Sequence, residues 1–430
     1  MTTFDCASLT PDAGRLLLRG LFEAALKAVD PLESVPRHLP LRPRGRTVVV
    51  GAGKAAARMA LALERSWEGP LSGLVVTRYG HGEPCRQIEV VEAGHPMPDG
   101  AGLQAAQRIR ELVTGLGADD LVIALVSGGG SALLTAPAEG ITLEDKRAVT
   151  SALLRSGAPI GEMNCVRRHL SSIKGGKLGE ACGAAAVWTL VLSDVPGDDP
   201  RTVASGPTLA DDSTPADALA VLRRHGIAPP EAVLRLLQAA PERRAQTACG
   251  PRECRVIATA QGALDAAAAA AQAQGLRALV LGNALEGEAR HVGLVHAGLA
   301  RQVALHGQPA PAPLVLLSGG ETTVTVIGQG RGGRNAEFLL GAQIGVADLA
   351  QSTGRVWGLA ADTDGIDGSE SNAGAVFGPD SWARGQVLGL AAREMLARND
   401  AYSWFEALDD LVVTGPTRTN VNDFRALLIA

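Results

Sequence analysis

The sequence predicts an α/β protein: an N-terminal Rossmann-like domain with a doubly wound parallel sheet, then a second, C-terminal α/β domain. Three observations carry this. Short apolar segments alternate with helical patterns, the rhythm of parallel strands joined by crossover helices. The 52 glycines fall in short runs directly after apolar segments, where such folds place ligand-binding loops. At ~100–200 residues per domain, 430 residues predict at least two cores.

Thr10 and Pro11 cap an opening helix with Leu17, Leu21, Ala24, Ala25 and Ala28 at helical spacing, which we read as packing. Residues 47–50 form a buried strand that runs into Gly51-Ala52-Gly53-Lys54 and a helix through Leu63, and residues 74–77 form the next strand. The strand at 121–126 empties into Ser127-Gly128-Gly129-Gly130-Ser131, and the strand at 188–192 into Ser193-Asp194-Val195-Pro196-Gly197. Residues 209–254 carry prolines 215, 229, 230, 241 and 251, which places a boundary near 245 and domains at 1–245 and 246–430. Beyond it, strands at 256–260, 278–281 and 314–317, separated by helices, repeat the βαβαβ rhythm. Leu316-Leu317-Ser318-Gly319-Gly320 also echoes the corner at residues 125–130.

Composition excludes several classes. With 46% hydrophobic and 20% charged residues, the chain is neither disordered nor fibrous. A net charge of −5 argues against nucleic acid as the main partner while permitting a small anion. Six cysteines without a CxxC pair read as reduced thiols of a cytoplasmic protein. The N-terminus lacks the basic and apolar regions of a signal peptide, and no apolar run approaches the ~18 residues of a membrane span.

Gly51, Gly53 and Ala56 fit a loose dinucleotide pattern, but the next strand ends at Thr77-Arg78 with no acid for a ribose. The segment is not a Walker A loop either, since Val48 and Ala55 stand where glycine and Ser/Thr are needed. Lys54 on the first turn of a helix would anchor a phosphate or carboxylate; an ordinary solvated lysine is the plain alternative. Ser127, Gly128, Gly129, Gly130 and Ser131 could form an anion nest or a simple tight turn. Arg167, Arg168, Lys174 and Lys177 gather around Gly175-Gly176, and Arg168 and Lys174 are taken as anion ligands.

Two acidic loops suit Mg²⁺, which needs only one or two carboxylates beside substrate phosphates: Asp194 with Asp198 and Asp199, and Asp362 with Asp364 and Asp367. Both follow strands and are expected to converge on one cleft, with Asp194 nearest the reacting group. Glu321, Arg334 and Asn335 belong to the densest polar cluster, with Arg334 as a clamp for a carboxylate or phosphate. His95, between Gly94 and Pro96, is read as part of a stiff turn.

Eight segments in order, VVGAGKAAARMA, GHPMPDGAG, LVSGGGSALL, MNCVRRHLSSIKGGKL, LSDVPGDDPRTVASGPT, LSGGETTVTVIGQGRGGRNAEF, AADTDGIDGSESNAGAV and TNVNDF, resemble the MOFRL-type glycerate 2-kinase family. Some of its members carry the label hydroxypyruvate reductase of tartrate utilisation. The resemblance implies transfer of the γ-phosphoryl of MgATP to the 2-hydroxyl of D-glycerate, giving 2-phosphoglycerate, in a cleft between the two domains. It places the family's key lysine at Lys54 and its arginine at Arg334, with Arg331 as the nearby alternative. ATP, Mg²⁺ and D-glycerate are then the expected partners, and the assembly state is left open, a homodimer included. The competing expectations are an NAD(P)H-dependent hydroxypyruvate reductase and a non-catalytic sugar-acid sensor.

Overall fold

Apolar runs that are buried along their whole length need both faces covered, and the first half of the chain builds its sheet accordingly. The computed structural model describes residues 9–240, 249–349 and 355–430. Strands β1 (Thr47–Ala52), β2 (Ser72–Arg78), β3 (Ile88–Ala93), β4 (Leu121–Ser127), β5 (Ala186–Leu192) and β6 (Arg252–Ala258) form a sheet of order β3-β2-β1-β4-β5-β6. The pairs β2–β3, β1–β2, β1–β4 and β4–β5 are all parallel. This is the doubly wound order whose ligands lie at strand carboxyl ends. Its core includes Val48, Val50, Val122, Ala124 and Val126. A satellite core under the helices Leu143–Arg155, Ile160–His169, Pro215–Arg224 and Glu231–Ala239 contains Val149, Leu153, Val166, Leu222 and Leu237.

The second sheet is mixed. Strands β7 (Arg277–Gly282), β8 (Gly287–Glu288), β9 (Leu314–Gly320), β10 (Thr322–Thr323), β11 (Val356–Asp362), β12 (Gly374–Phe377), β13 (Leu411–Val412) and β14 (Asp423–Ile429) lie in the second half. The main sheet runs β13-β12-β11-β14-β9-β7, and β8 pairs with β10. Only β7 and β9 are parallel there; β9–β14, β14–β11, β11–β12 and β12–β13 are antiparallel. The expected repeat of the parallel rhythm therefore fails after β9. The expected strand at 256–260 belongs to β6 of the first sheet.

The chain divides into one unit of Pro31–Ile257 and a second of Met1–Asp30 with Ala258–Ala430. The boundary expected near 245 lies outside the described residues, as do Asp5, Cys6 and Pro241. The opening helix, Pro11–Ala28, is packing as expected, but it packs with the second half of the chain. Arg15 donates to Asp380 (2.8 Å) and Ser381 (2.7 Å), and the Trp357 indole donates to the Pro11 carbonyl (2.9 Å). Gly14 is required because a Cβ there would stand 2.3 Å from the Trp357 Nε1. Among the described residues, no helix is long and apolar enough to cross a membrane. The five described cysteines are free thiols.

Candidate active site

In the Pro31–Ile257 unit the functional candidates gather where β1 and β4 end. Gly53, at φ +142°, lies so close to β4 that a Cβ would fall 2.1 Å from Ser127 Oγ. That closeness lets the Ala55 N–H donate to Ser127 Oγ (3.1 Å) and the Lys54 N–H to the Gly128 carbonyl (2.8 Å). Lys54 is therefore not on the first helical turn as expected. It precedes Ala55, the N-cap of Ala56–Ser66, because its backbone is tied between β2 and the glycine loop. Gly129, at φ +77°, leaves room for two side chains: a Cβ there would meet His95 Nε2 at 3.0 Å and Lys54 Cγ at 3.2 Å. His95 thus stands over the glycine loop beside Lys54, a proximity the sequence reading missed. The one available signal was the Gly94-His95-Pro96-Met97-Pro98 motif itself.

The loop's serines are engaged internally. Ser127 is fully buried. Ser131 Oγ pairs with Ser205 Oγ (2.8 Å), whose hydroxyl donates to Asn164 Oδ1 (3.0 Å). Gly51 and Gly130 serve close packing, since Cβ atoms there would meet Leu125 O at 2.3 Å and Ala204 Cβ at 2.7 Å. Ala204 and Ser205 both adopt positive φ (51° and 63°), backbone strain of the kind that collects at working sites. Arg168, expected to bind anions directly, instead donates to Asp211 (3.0 Å) and the Arg201 carbonyl (2.9 Å), holding the segment after β5. Lys174 is fully buried and its ammonium donates to the Leu134 carbonyl (2.6 Å). Asp194 stands half-buried just beyond β5, whereas Asp199 is spent on Arg201.

In the other unit, Arg334 opens the helix Arg334–Val346 and sends one donor to each of three carboxylates. Its Nε reaches Asp423 (2.8 Å), Nη1 Glu321 (3.2 Å) and Nη2 Asp362 (2.8 Å). Burial would lower the guanidinium pKa, yet Asp423, Asp362 and Glu321 outweigh it and hold it well above its ordinary value. Burial likewise resists ionisation of Asp423, but Arg334 and Arg425 keep its carboxyl below the usual range. Arg425 donates to Asp423 Oδ2 (2.6 Å). So Arg334 organises acids here rather than presenting an open fork, and Asp423 and Arg425, which sequence reasoning passed over, complete the network.

Asn335, expected as a ligand, is completely buried, and its amide donates to Asp423 (2.8 Å). The helix N-terminus is not open to an outside anion, because Asp367 caps it: Asn335 N and Ala336 N donate to its two oxygens at 2.9 Å. Burial pushes the Asp367 carboxyl up to about 6. A Cβ on Gly333 would fall 2.3 Å from Asp367 Oδ1 and 2.4 Å from its carbonyl carbon. Gly333→Ala is therefore expected to cost ~2 kcal/mol or more of unfolding free energy, checked by denaturant titration. Arg331, the alternative arginine, stacks on Tyr402 (4.2 Å) and pairs with Glu370 (2.7 Å) and Glu406 (3.2 Å), away from the Asp362–Asp423 network.

Hard carboxylate oxygens suit Mg²⁺. Asp362 has one oxygen on Arg334 and the other on the Asp364 N–H (2.9 Å), and Asp364 Oδ1 accepts from Ile366 N (2.9 Å). Among the described residues, no group of three or more His, Cys, Asp or Glu is arranged to hold a metal. This donor set would suit only an ion that brings its own phosphate ligands.

The comparisons with known proteins agree with this architecture. Residues 17–238 match a family model described as a domain of unknown function, DUF4147, and residues 314–423 match the MOFRL family. A protein of Agrobacterium vitis provisionally named a hydroxypyruvate reductase is 52% identical over 97% of this chain and 95% of its own. The D-glycerate 2-kinase of Thermotoga maritima is 39% identical over 96% of this chain and 98% of its own. The crystal structure of a Thermotoga maritima glycerate kinase superposes with a TM-score of 0.87, covering 98% of this chain and all of that one. Fold and relatives together define an α/β phosphotransferase. The chain belongs to the MOFRL family.

Proposed function

We propose that the protein is a glycerate 2-kinase that transfers the γ-phosphoryl group of ATP to the 2-hydroxyl of D-glycerate, with Mg²⁺ as the nucleotide's counter-ion. The near full-length likeness to the Thermotoga maritima D-glycerate 2-kinase carries this reading. The site chemistry supports it, because phosphoryl transfer asks a protein mainly for positioning and for charge stabilisation. Lys54, beside Gly129 and His95, supplies a cation at a strand end. Mg²⁺, when bound, would offset the charge of the nucleotide phosphates. Asp194 is assigned as the carboxylate nearest the reacting hydroxyl, orienting it and accepting its proton or holding the ion. Arg334, held by Glu321, Asp362 and Asp423, is assigned to the same reaction.

Two experiments test this. The chain incubated with MgATP and D-glycerate is expected to yield 2-phosphoglycerate, identified by its ³¹P resonance; 3-phosphoglycerate as the product would overturn the assignment of the 2-hydroxyl. Asp194→Asn keeps the side-chain shape while removing the negative charge and the basicity. Its turnover is expected to fall by ~10²-fold or more, and full activity would remove Asp194 from the reaction.

A further inference from the structure

Lys146, Arg167, Lys174 and Lys177 bring four basic side chains close together within the Pro31–Ile257 unit. They come from the helices Leu143–Arg155 and Ile160–His169, and from the turn at Lys174 and the helix Lys177–Ala181 that follows it. Lys146 is 6% exposed and Lys174 1%. Lys174 donates to the Leu134 carbonyl, and the Lys177 ammonium to the Arg168 and Ser171 carbonyls. The buried Lys146 ammonium has no hydrogen-bond partner. The charges acting on Lys146 and Lys174 are all positive: Lys177 and Arg167 on the first, Lys146, Arg167 and Lys177 on the second.

A buried ammonium without a partner is a costly arrangement that folding alone does not favour. Burial, then Lys177 and Arg167, pushes the Lys146 pKa down to about 7, and burial drives that of Lys174 well below its ordinary value. A ligand that brought negative charge would relieve the repulsion and satisfy the orphaned donor. The group also adjoins the glycine loop. Lys174 bonds Leu134, which ends the turn after Gly130, while Arg167 donates to Asn164 Oδ1 (3.4 Å), the acceptor of the Ser205 hydroxyl that pairs with Ser131.

We propose that Lys146, Arg167, Lys174 and Lys177 form a phosphate-binding floor behind the glycine loop. A carboxylate would offset one charge, whereas a phosphate dianion offsets two and offers several acceptor oxygens to donors arriving from different elements. The phosphate could belong to the nucleotide or to the phosphorylated product, and only this choice of source rests on the kinase reading above.

The test follows thermal unfolding of the full chain in inorganic phosphate and in chloride at matched ionic strength, so that screening is equal. Wild type should unfold at higher temperature in phosphate. Lys146→Met should raise the midpoint in chloride, because it removes a buried amine without a hydrogen-bond partner, and should weaken phosphate binding by at least ~10-fold. Lys177→Met, at a half-buried position, should weaken phosphate binding too and keeps the test open if Lys146→Met does not fold. A wild type that responds no differently to phosphate and chloride overturns the proposal, as does a Lys146→Met or Lys177→Met chain with wild-type phosphate affinity. Displacement of bound phosphate by ADP or by 2-phosphoglycerate names the source. Displacement by neither leaves the phosphate site standing and counts against the kinase reading.

Discussion

Arg334→Lys is expected to lower turnover by ~10²-fold or more and unfolding free energy by about 2 kcal/mol. The native guanidinium sends Nε, Nη1 and Nη2 in three directions to Asp423, Glu321 and Asp362. An ammonium keeps the charge but is a single point, so it cannot reach all three acceptors at once. Asp423 is fully buried and Asp362 nearly so, and an acceptor of that kind left unmatched pays its desolvation in full. Steady-state kinetics and a urea titration read the two effects separately. A lysine variant with normal turnover would return Arg334 to a purely structural role, and Arg331 would become the arginine to test.

Lys54→Ala should produce the opposite pattern, a loss of at least ~10²-fold in turnover with little change in stability. The side chain is half-buried, and the bonds that hold this turn are made by backbone atoms, Lys54 N to the Gly128 carbonyl and Thr77 Oγ1 to the Lys54 carbonyl. Alanine keeps both. The variant therefore removes the ammonium while keeping the backbone of the turn, with circular dichroism as the control for the fold. Near-normal turnover would class Lys54 with ordinary solvated lysines.

Strand positions in the first half were legible because fully buried parallel strands read as unbroken apolar runs: 47–50, 74–77, 121–126 and 188–192 all lie inside observed strands. β3 was missed, since Ile88-Glu89-Val90-Val91-Glu92 mixes charge into an edge strand. The antiparallel part of the second sheet was invisible for another reason. β14 is buried along its whole length although it carries Asp423 and Arg425, and nothing local in 423–429 declares its direction, which long-range pairing with β9 and β11 decides. The destination of the opening helix was equally hidden, because its apolar stripe says that it packs but not on what.

The site divides along the same line. The approach of Gly53 to the Ser127–Ser131 loop was legible because strand-end glycines announce close backbone contact, and Gly53 against Ser127 is such a contact. Residues that act through tertiary partners were not. Arg168 looked like a free cation until Asp211 was placed against it, and Asp367 looked like one more residue of an acidic loop until it was found capping the helix that Arg334 opens. Asp423 lay within the TNVNDF segment but was not singled out, since its ion pair is with Arg334, 89 positions away in sequence.

The central claim is that this chain moves a phosphoryl group and not a hydride. The most direct test runs two reactions in parallel on the purified protein: ATP, Mg²⁺ and D-glycerate with ADP release as the readout, and hydroxypyruvate with NADH or NADPH with loss of absorbance at the nicotinamide band. The account predicts ADP formation that requires D-glycerate, disappears in Lys54→Ala, and has no counterpart in the nicotinamide reaction. Steady oxidation of NADH or NADPH by hydroxypyruvate, with no glycerate-dependent ADP, would contradict it.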